Sequence, residues 1–338
     1  MANNVQIFDA RSAAGAQAIY GGVRPRAFVG NDRIGQITTA RGTVVNSLLR
    51  KDEWERLDQA VVRAAVPRLN AVSHLVERGL TLGLNIGTII SEWNESSEFT
   101  AANVSITGQS RGEADAVEFD LAAVPVPVIF KEYSIPMRML MAARNAGNAL
   151  DTTAAFNAGQ VVAEKLEDML LNGNALTFNG RAIYGYTTHP SRNTDTATNY
   201  GGGDFGTSDN GRKTVLGMKN AANADRFYGP FIVYVYTTQY NQLLQRYTDG
   251  SGQTELDAIL AIPTIEAVYP SDWLDDGEVV MVQVTPNVVD IAIAQTVTNM
   301  EWADGNGMTG NFRVQTIAVP RVKADYNARC GIVHATGA

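Results

Sequence analysis

An α+β fold is predicted for this chain from three features: two amphipathic helical stretches in the N-terminal half, an acidic hairpin pattern between them, and a C-terminal half dominated by strand patterns. Residues 1–46 contain Gly15, Gly21, Gly22, Gly30, Gly35 and Gly42 and sustain neither helical nor strand periodicity, so they read as an extended arm. Next, Trp54, Leu57, Val61, Ala65, Leu69, Val72 and Val76 recur at steps of three and four, which predicts a helix from about Ser47 to Arg78 that stops at Gly79. Pro67 removes a donor inside it and predicts a bend or break near Val66.

From Leu80 to Ala122 the pattern turns strand-like. Val117, Phe119 and Leu121 alternate with Glu118 and Asp120 after the turn residues Gly108, Ser110 and Gly112, and the stretch reads as a long hairpin. A two-stranded ribbon with one weakly apolar face is marginal alone and needs a surface to lie on. A β segment is expected from Val124 to Ile135, entered through Pro125 and Pro127. The clearest helix follows, with Asp151 as its cap, a stripe of Ala155, Gly159, Val162, Leu166 and Leu170, and Gly173 as its end.

Asn174 to Lys213 is rich in Gly, Asn, Thr and Ser and reads as loops with short strands. Phe231 to Thr238 is apolar on both alternating sets, as in a strand covered on both faces, and Tyr240 to Tyr247 suits a short helix. Further strands are expected at 279–285, 288–298, 311–323 and 329–335, the last of which return to the first body. No repeat is visible.

Composition narrows the function. The 338 residues carry a formal net charge of −8, which lacks the basic excess of a sequence-specific nucleic-acid reader. Charged residues make up only 18% of the chain, leaving many small neutral residues for contact with other protein. Cys330 is the sole cysteine, so an intrachain disulfide and a cysteine-rich zinc site are excluded. With no apolar run of membrane-spanning length and no signal-like start, the chain is expected to be soluble and unexported.

Catalytic chemistry is hard to find. His74, His189 and His334 have no second ligand at helical spacing, and Cys330 lacks the local signature of a thiol nucleophile and reads as a buried small hydrophobe. Gly201, Gly202 and Gly203 have no preceding apolar strand and no Lys followed by Ser or Thr, so a phosphate loop is not supported. Glu92, Glu95 and Glu98 sit among polar neighbours with no apolar pocket to raise a pKa.

The remaining signal is opposed charge. Through Lys51 the arm holds Arg11, Arg24, Arg26, Arg33, Arg41, Arg50 and Lys51 against Asp9 and Asp32, which gives +5. The 80–122 window holds Glu92, Glu95, Glu98, Glu113, Asp115, Glu118 and Asp120 against Arg111, which gives −6. These segments are expected to find complements on other copies of the chain. Arg24, Arg26, Arg33, Arg41, Glu92, Glu95, Glu98 and Glu113 are the candidate inter-subunit contacts.

Several stretches resemble the major capsid proteins of the HK97 fold, especially the encapsulin-like branch. Leu49–Asp58 is similar to that branch's N-terminal helix, Val124–Tyr133 to the strand leaving its E-loop, and the helix from about Thr152 to Leu171 to its spine helix. Gly229–Tyr234 with Tyr240 and Leu243–Leu244 resembles its axial strand–helix passage, and Phe312–Val314 and Arg329–Ile332 its closing strands. The resemblance implies an N-terminal arm (1–46), an N-terminal helix (47–79) and an E-loop hairpin (80–123). It further implies a peripheral domain with the spine helix (124–173 and 286–323) and an axial domain (174–285 and 324–338).

The function so implied is non-enzymatic. The chain would be a major capsid protein that assembles in the host bacterial cytoplasm into the icosahedral shell of a tailed phage or prophage around double-stranded DNA. The alternatives are an encapsulin-type shell enclosing a cargo enzyme, or a cytosolic α+β enzyme with an unrecognised site. The implied partners are the chain itself in pentamers and hexamers, DNA held non-specifically, and scaffold, portal and decoration proteins, with no membrane and no cofactor. Self-scaffolding is not expected, because no long helical extension precedes the mature region. Lys–Asn cross-linking is not carried over, because residues 80–122 contain no lysine.

Overall fold

The computed structural model describes residues 36–38, 44–46, 49, 51–65, 69–100, 102, 104, 106–107, 114–146, 151–246, 252–303 and 309–338. It contains β1 (Gln36–Thr38), β2 (Val44–Asn46), α1 (Lys51–Ala65), α2 (Asn70–Glu77), β3 (Thr81–Gly83), β4 (Ile90–Ser96), β5 (Phe119–Pro125), β6 (Val128–Pro136), α3 (Met137–Asn145) and α4 (Thr153–Asn172). The chain continues through β7 (Asn174–Phe178), β8 (Arg181–Ile183), β9 (Asn193–Thr196), α5 (Asn210–Ala224), β10 (Phe231–Val235), α6 (Thr237–Leu243) and α7 (Glu255–Leu260). It ends with β11 (Ile265–Pro270), β12 (Val279–Gln283), β13 (Val289–Ala303), β14 (Thr309–Val322) and β15 (Ile332–Thr336). Two compact units result. The first is Met1–Ile89, Val126–Asp168 and Ile291–Val319; the second is Ile90–Pro125, Met169–Asp290 and Pro320–Ala338.

In the first unit α1, α3 and α4 pack around strands of a four-stranded sheet ordered β3-β13-β14-β6. β6 runs antiparallel to β14 with Tyr133 opposite Phe312, and these rings stack at 5.2 Å while Trp54 meets Phe312 edge-on. Leu57, Val61, Leu140, Ala155, Val162 and Val314 complete the core. Burial of such a Val or Leu side chain contributes about 1.5–3 kcal/mol, so this packing outweighs any single polar contact. Gly159 lets α4 cross α1 closely, since a Cβ there would lie 2.9 Å from the Val61 carbonyl oxygen.

The helical stretch expected from about Ser47 to Arg78, with a bend or break near Val66, is two helices, α1 ending at Ala65 and α2 starting at Asn70 on either side of Pro67. The interruption resets the helical phase. Beyond it Ala71, Val72 and Leu75 are buried, whereas Val76 of the expected stripe is only half-buried. α2 closes with the Leu80 amide on the Leu75 carbonyl and the Gly79 amide on that of Val76, a Schellman motif that requires Gly79 at φ +72°.

The second unit is built on a five-stranded sheet ordered β11-β10-β12-β15-β9. β10 is buried at all five residues, parallel to β11 and antiparallel to β12. Phe205, Val215, Met218, Phe231, Leu243 and Ile259 anchor its core. Two expectations are corrected. The continuous segment 124–135 is two strands, β5 and β6, because it is interrupted at Val126 and Pro127. The region read as loop up to Lys213 already contains the start of α5 at Asn210, and α7 and β11 had not been anticipated.

Candidate functional site

The acidic hairpin is a real two-stranded ribbon. β4 and β5 pair antiparallel from Ile90 opposite Pro125 to Ser96 opposite Phe119, and the Ser97 amide extends the ladder to the Glu118 carbonyl. The ribbon clusters with the second unit and is fastened to it by polar clasps along its length.

The innermost clasp is buried. Arg321 donates to both Asp290 carboxylate oxygens at 2.6 and 2.5 Å, and Lys323 donates to the same carboxylate at 2.6 Å. The same guanidinium donates to Ser91 of β4 at 3.2 Å and lies 5.5 Å from the Trp93 ring. Beside it a cleft is lined by Trp93, Glu95, Arg181, Tyr184, His189 and Arg321. Burial and then Arg192 push the His189 pKa down to about 4, so that ring is neutral at ordinary pH. Arg181 donates to the Leu121 carbonyl at 3.3 Å. Farther out Tyr326 donates to Glu118 at 2.7 Å, and Glu98 receives Arg226 at 2.9 Å and Arg329 at 3.3 Å. Near the far end Asp115 accepts from both the amide and the hydroxyl of Thr100.

The other property of the ribbon is bare apolar surface. Phe119 is 68% exposed and Leu121 46%, Phe99 and Val117 are exposed, and Val104 and Ile106 are almost fully so. Phe119 and Leu121, two residues apart on β5, share one face of the ribbon, and exposed apolar surface favours contact with other protein.

The candidate contact residues divide. Glu92 points outward and is exposed. Glu95 is half-buried and accepts from the Trp93 indole at 3.2 Å; burial raises its pKa despite that bond. Glu98 receives Arg226 and Arg329 of its own chain. Arg24, Arg26, Arg33, Arg41 and Glu113 lie outside the described residues. Sequence reasoning missed Arg321, Asp290, Arg226 and Arg329; Asp290 and Arg321 show only as charged residues within strands β13 and β14, and Arg226 as one just past the end of α5.

The remaining chemistry-bearing groups are dispersed. Cys330 is buried, and burial pushes its thiol up to about 12, so it is an unreactive core residue. His334 of β15 contacts Glu278 at 3.2 Å, and this bond holds the Glu278 pKa down. Among the described residues no group of three or more His, Cys, Asp or Glu could hold a metal ion, and no helix is long and apolar enough to cross a membrane.

The type 1 encapsulin shell protein EncA of Myxococcus xanthus is 25% identical over 285 residues, covering 81% of this chain and 90% of the relative. A diheme-cytochrome-encapsulin shell fusion protein of Kuenenia stuttgartiensis is 22% identical, covering 88% and 78%. The virus-like particle from Pyrococcus furiosus superimposes with a TM-score of 0.59 at 18% identity, over 83% of this chain and 98% of that one. The capsid of Myoviridae phage XM1 gives 0.58 at 15% identity, over 77% and 90%. The family model described as "Family of unknown function (DUF6260)" matches residues 43–335. The chain therefore belongs to the family of unknown function DUF6260, and its fold is that of the HK97-type capsid and shell proteins.

Proposed function

We propose that this chain is a shell-building subunit whose copies close into an icosahedral container, and that the container is the capsid of a tailed bacteriophage or prophage around double-stranded DNA. The observation that carries this reading is the ribbon: it is fastened at one side by buried and half-buried polar clasps and leaves Phe99, Phe119 and Leu121 bare. Sister copies cover those side chains. Apolar burial supplies the affinity, while exposed ion pairs, each contributing about 0–1 kcal/mol, set register and encounter rate. A contact repeated by every copy closes a shell when its rotation is consistent.

The division of work is that of the fold family, with residues 124–173 and 286–323 as peripheral domain and 174–285 and 324–338 as axial domain. The arm arginines Arg24, Arg26, Arg33 and Arg41 and the outward Glu92 belong to the contacts between copies, with scaffold, portal and decoration proteins as further partners. Likeness to the phage XM1 capsid supports the DNA-filled reading. The likeness in sequence to EncA favours a second reading, a nanocompartment around a cargo enzyme.

Negative-stain images of the expressed protein test the shell, and ultraviolet absorbance of particles purified from the native host separates its contents. Closed particles rich in nucleic acid are expected; particles filled with protein would move the assignment to the second reading. A monodisperse monomer at high concentration would overturn both.

A further inference from the structure

The cleft beside the Arg321 clasp is lined from the ribbon by Trp93, Glu95 and Val124 and from the rest of the second unit by Arg181, Tyr184 and His189. Its volume is about 210 Å³, which admits a small organic molecule and falls below the usual range of about 300–1,000 Å³ for larger ligands. Trp93, Tyr184, Val124, Pro320 and Val322 give it an apolar wall.

Two donors at the cleft have no matching acceptor. His189 is 8% exposed, and its Nδ1 accepts the Ser191 amide at 3.3 Å while Tyr184 meets the ring edge-on at 5.6 Å. The ring is neutral, so its single proton is on Nε2. That N–H is the ring edge left to the cleft and has no acceptor among the described residues, whereas a polar group on so buried a side chain ordinarily finds one. Arg181 is the second donor. It reaches the Leu121 carbonyl at 3.3 Å and has no carboxylate partner among the described residues. Arg321 differs, being committed to Asp290 and Ser91. The acid on the wall, Glu95, accepts from the Trp93 indole at 3.2 Å.

The geometry points to a binding site for a small organic carboxylate, with its apolar body against Trp93 and Tyr184 and its oxygens on the His189 Nε2–H and the Arg181 guanidinium. One cation, one neutral donor and an adjoining apolar wall match a planar monoanion. A phosphate group, with more charge and three oxygens, calls for more donors than these two. A carboxylate seated there touches the ribbon and the body beneath it at once, so it fastens the ribbon next to the Arg321 clasp. This holds for a single copy and does not depend on shell formation.

Calorimetric titration of the full chain with benzoate and with hexanoate tests the site. At least one acid should bind saturably at millimolar concentration. Benzamide and hexanamide, their neutral counterparts, should bind at least about tenfold more weakly, because the charged partner of Arg181 is lost. Arg181→Gln, at an exposed position, and His189→Phe, which keeps a ring against Tyr184, should each weaken the acid by about tenfold or more. With the acid at about ten times its dissociation constant, ribbon opening that releases it becomes about tenfold rarer, so hydrogen exchange of the peptide covering 90–97 should slow accordingly. Arg181→Gln should abolish that slowing at the same concentration. No saturable binding of either acid, equal affinity for acid and amide, or binding that leaves 90–97 unchanged would overturn the site; acid against amide on the wild-type chain decides alone if a variant does not fold.

Discussion

β10 and β5 are both short strands written in apolar residues, and they end in opposite surroundings. β10 lies between β11 and β12 with Phe231, Ile232, Val233, Tyr234 and Val235 all buried. β5 has one neighbour, β4, and leaves Phe119, Asp120 and Leu121 exposed in succession. Alternation of apolar with acidic residues ordinarily means one face in a core and one in water. In β5 Phe119 and Leu121 are exposed as well, so the alternation describes a face that the described residues leave uncovered. The two strands also differ in what holds them: β10 is held by packing, the ribbon by hydrogen bonds and ion pairs at defined points.

The contrast breaks most sharply at β10. Phe231→Ala removes a fully buried ring and should destabilise the fold by about 3–5 kcal/mol, with a matching loss in a denaturant melt and no particles. Unchanged stability would show that this sheet is not the packing centre of its unit. Asp290→Ala is expected to cost about 3 kcal/mol, because it strands Arg321 and Lys323 without their shared carboxylate; proteolysis should then cut the ribbon at β4 before the five-stranded sheet opens. The double change Phe119→Ser with Leu121→Ser should have the reverse profile. It touches only exposed side chains, so the melt should move by less than about 0.5 kcal/mol, yet particles should be absent in negative stain. Normal particles from that variant would remove the ribbon from the assembly contact.

What the sequence disclosed follows the range of the interactions. The helix expected at about Thr152–Leu171 is α4 at Thr153–Asn172, because its stripe and its cap are local: Asp151 accepts the Thr153 amide at 2.9 Å. β10 is legible for the same reason. α5 starts inside a stretch whose Gly, Asn, Thr and Ser read as loop; Asp209 at its N-cap is left-handed and makes no side-chain cap, while the Arg212 amide goes to Glu255, buried on α7. Glu167 does the same for α2 across more than ninety residues. At α2 such a cap leaves no mark in the local sequence, because Leu69 stands where Ser, Thr, Asn or Asp would normally be. The ribbon itself was legible from its alternation and charge. Its clasps were not, since Arg226, Arg321 and Arg329 lie far along the chain from Glu98 and Ser91.

The smallest expected effect separates clasp from contact at Glu98. This carboxylate is half-exposed between Arg226 and Arg329, and pairs of that kind contribute about 0–1 kcal/mol because water competes for both partners and salt screens them. Glu98→Gln should therefore shift the melt by no more than about 1 kcal/mol, and the shift should vanish in high salt. Charge reversal of Arg24, Arg26 and Arg33 should likewise leave the folded chain intact but impair assembly. If Glu98 serves only its own chain, combining the Gln change with that reversal adds nothing to the assembly defect; if it also meets the arm of a sister copy, the double variant shows less than the sum of the two defects. Particle yield against ionic strength for the four proteins reads the difference, because coupling between two sites appears only as such a departure from additivity.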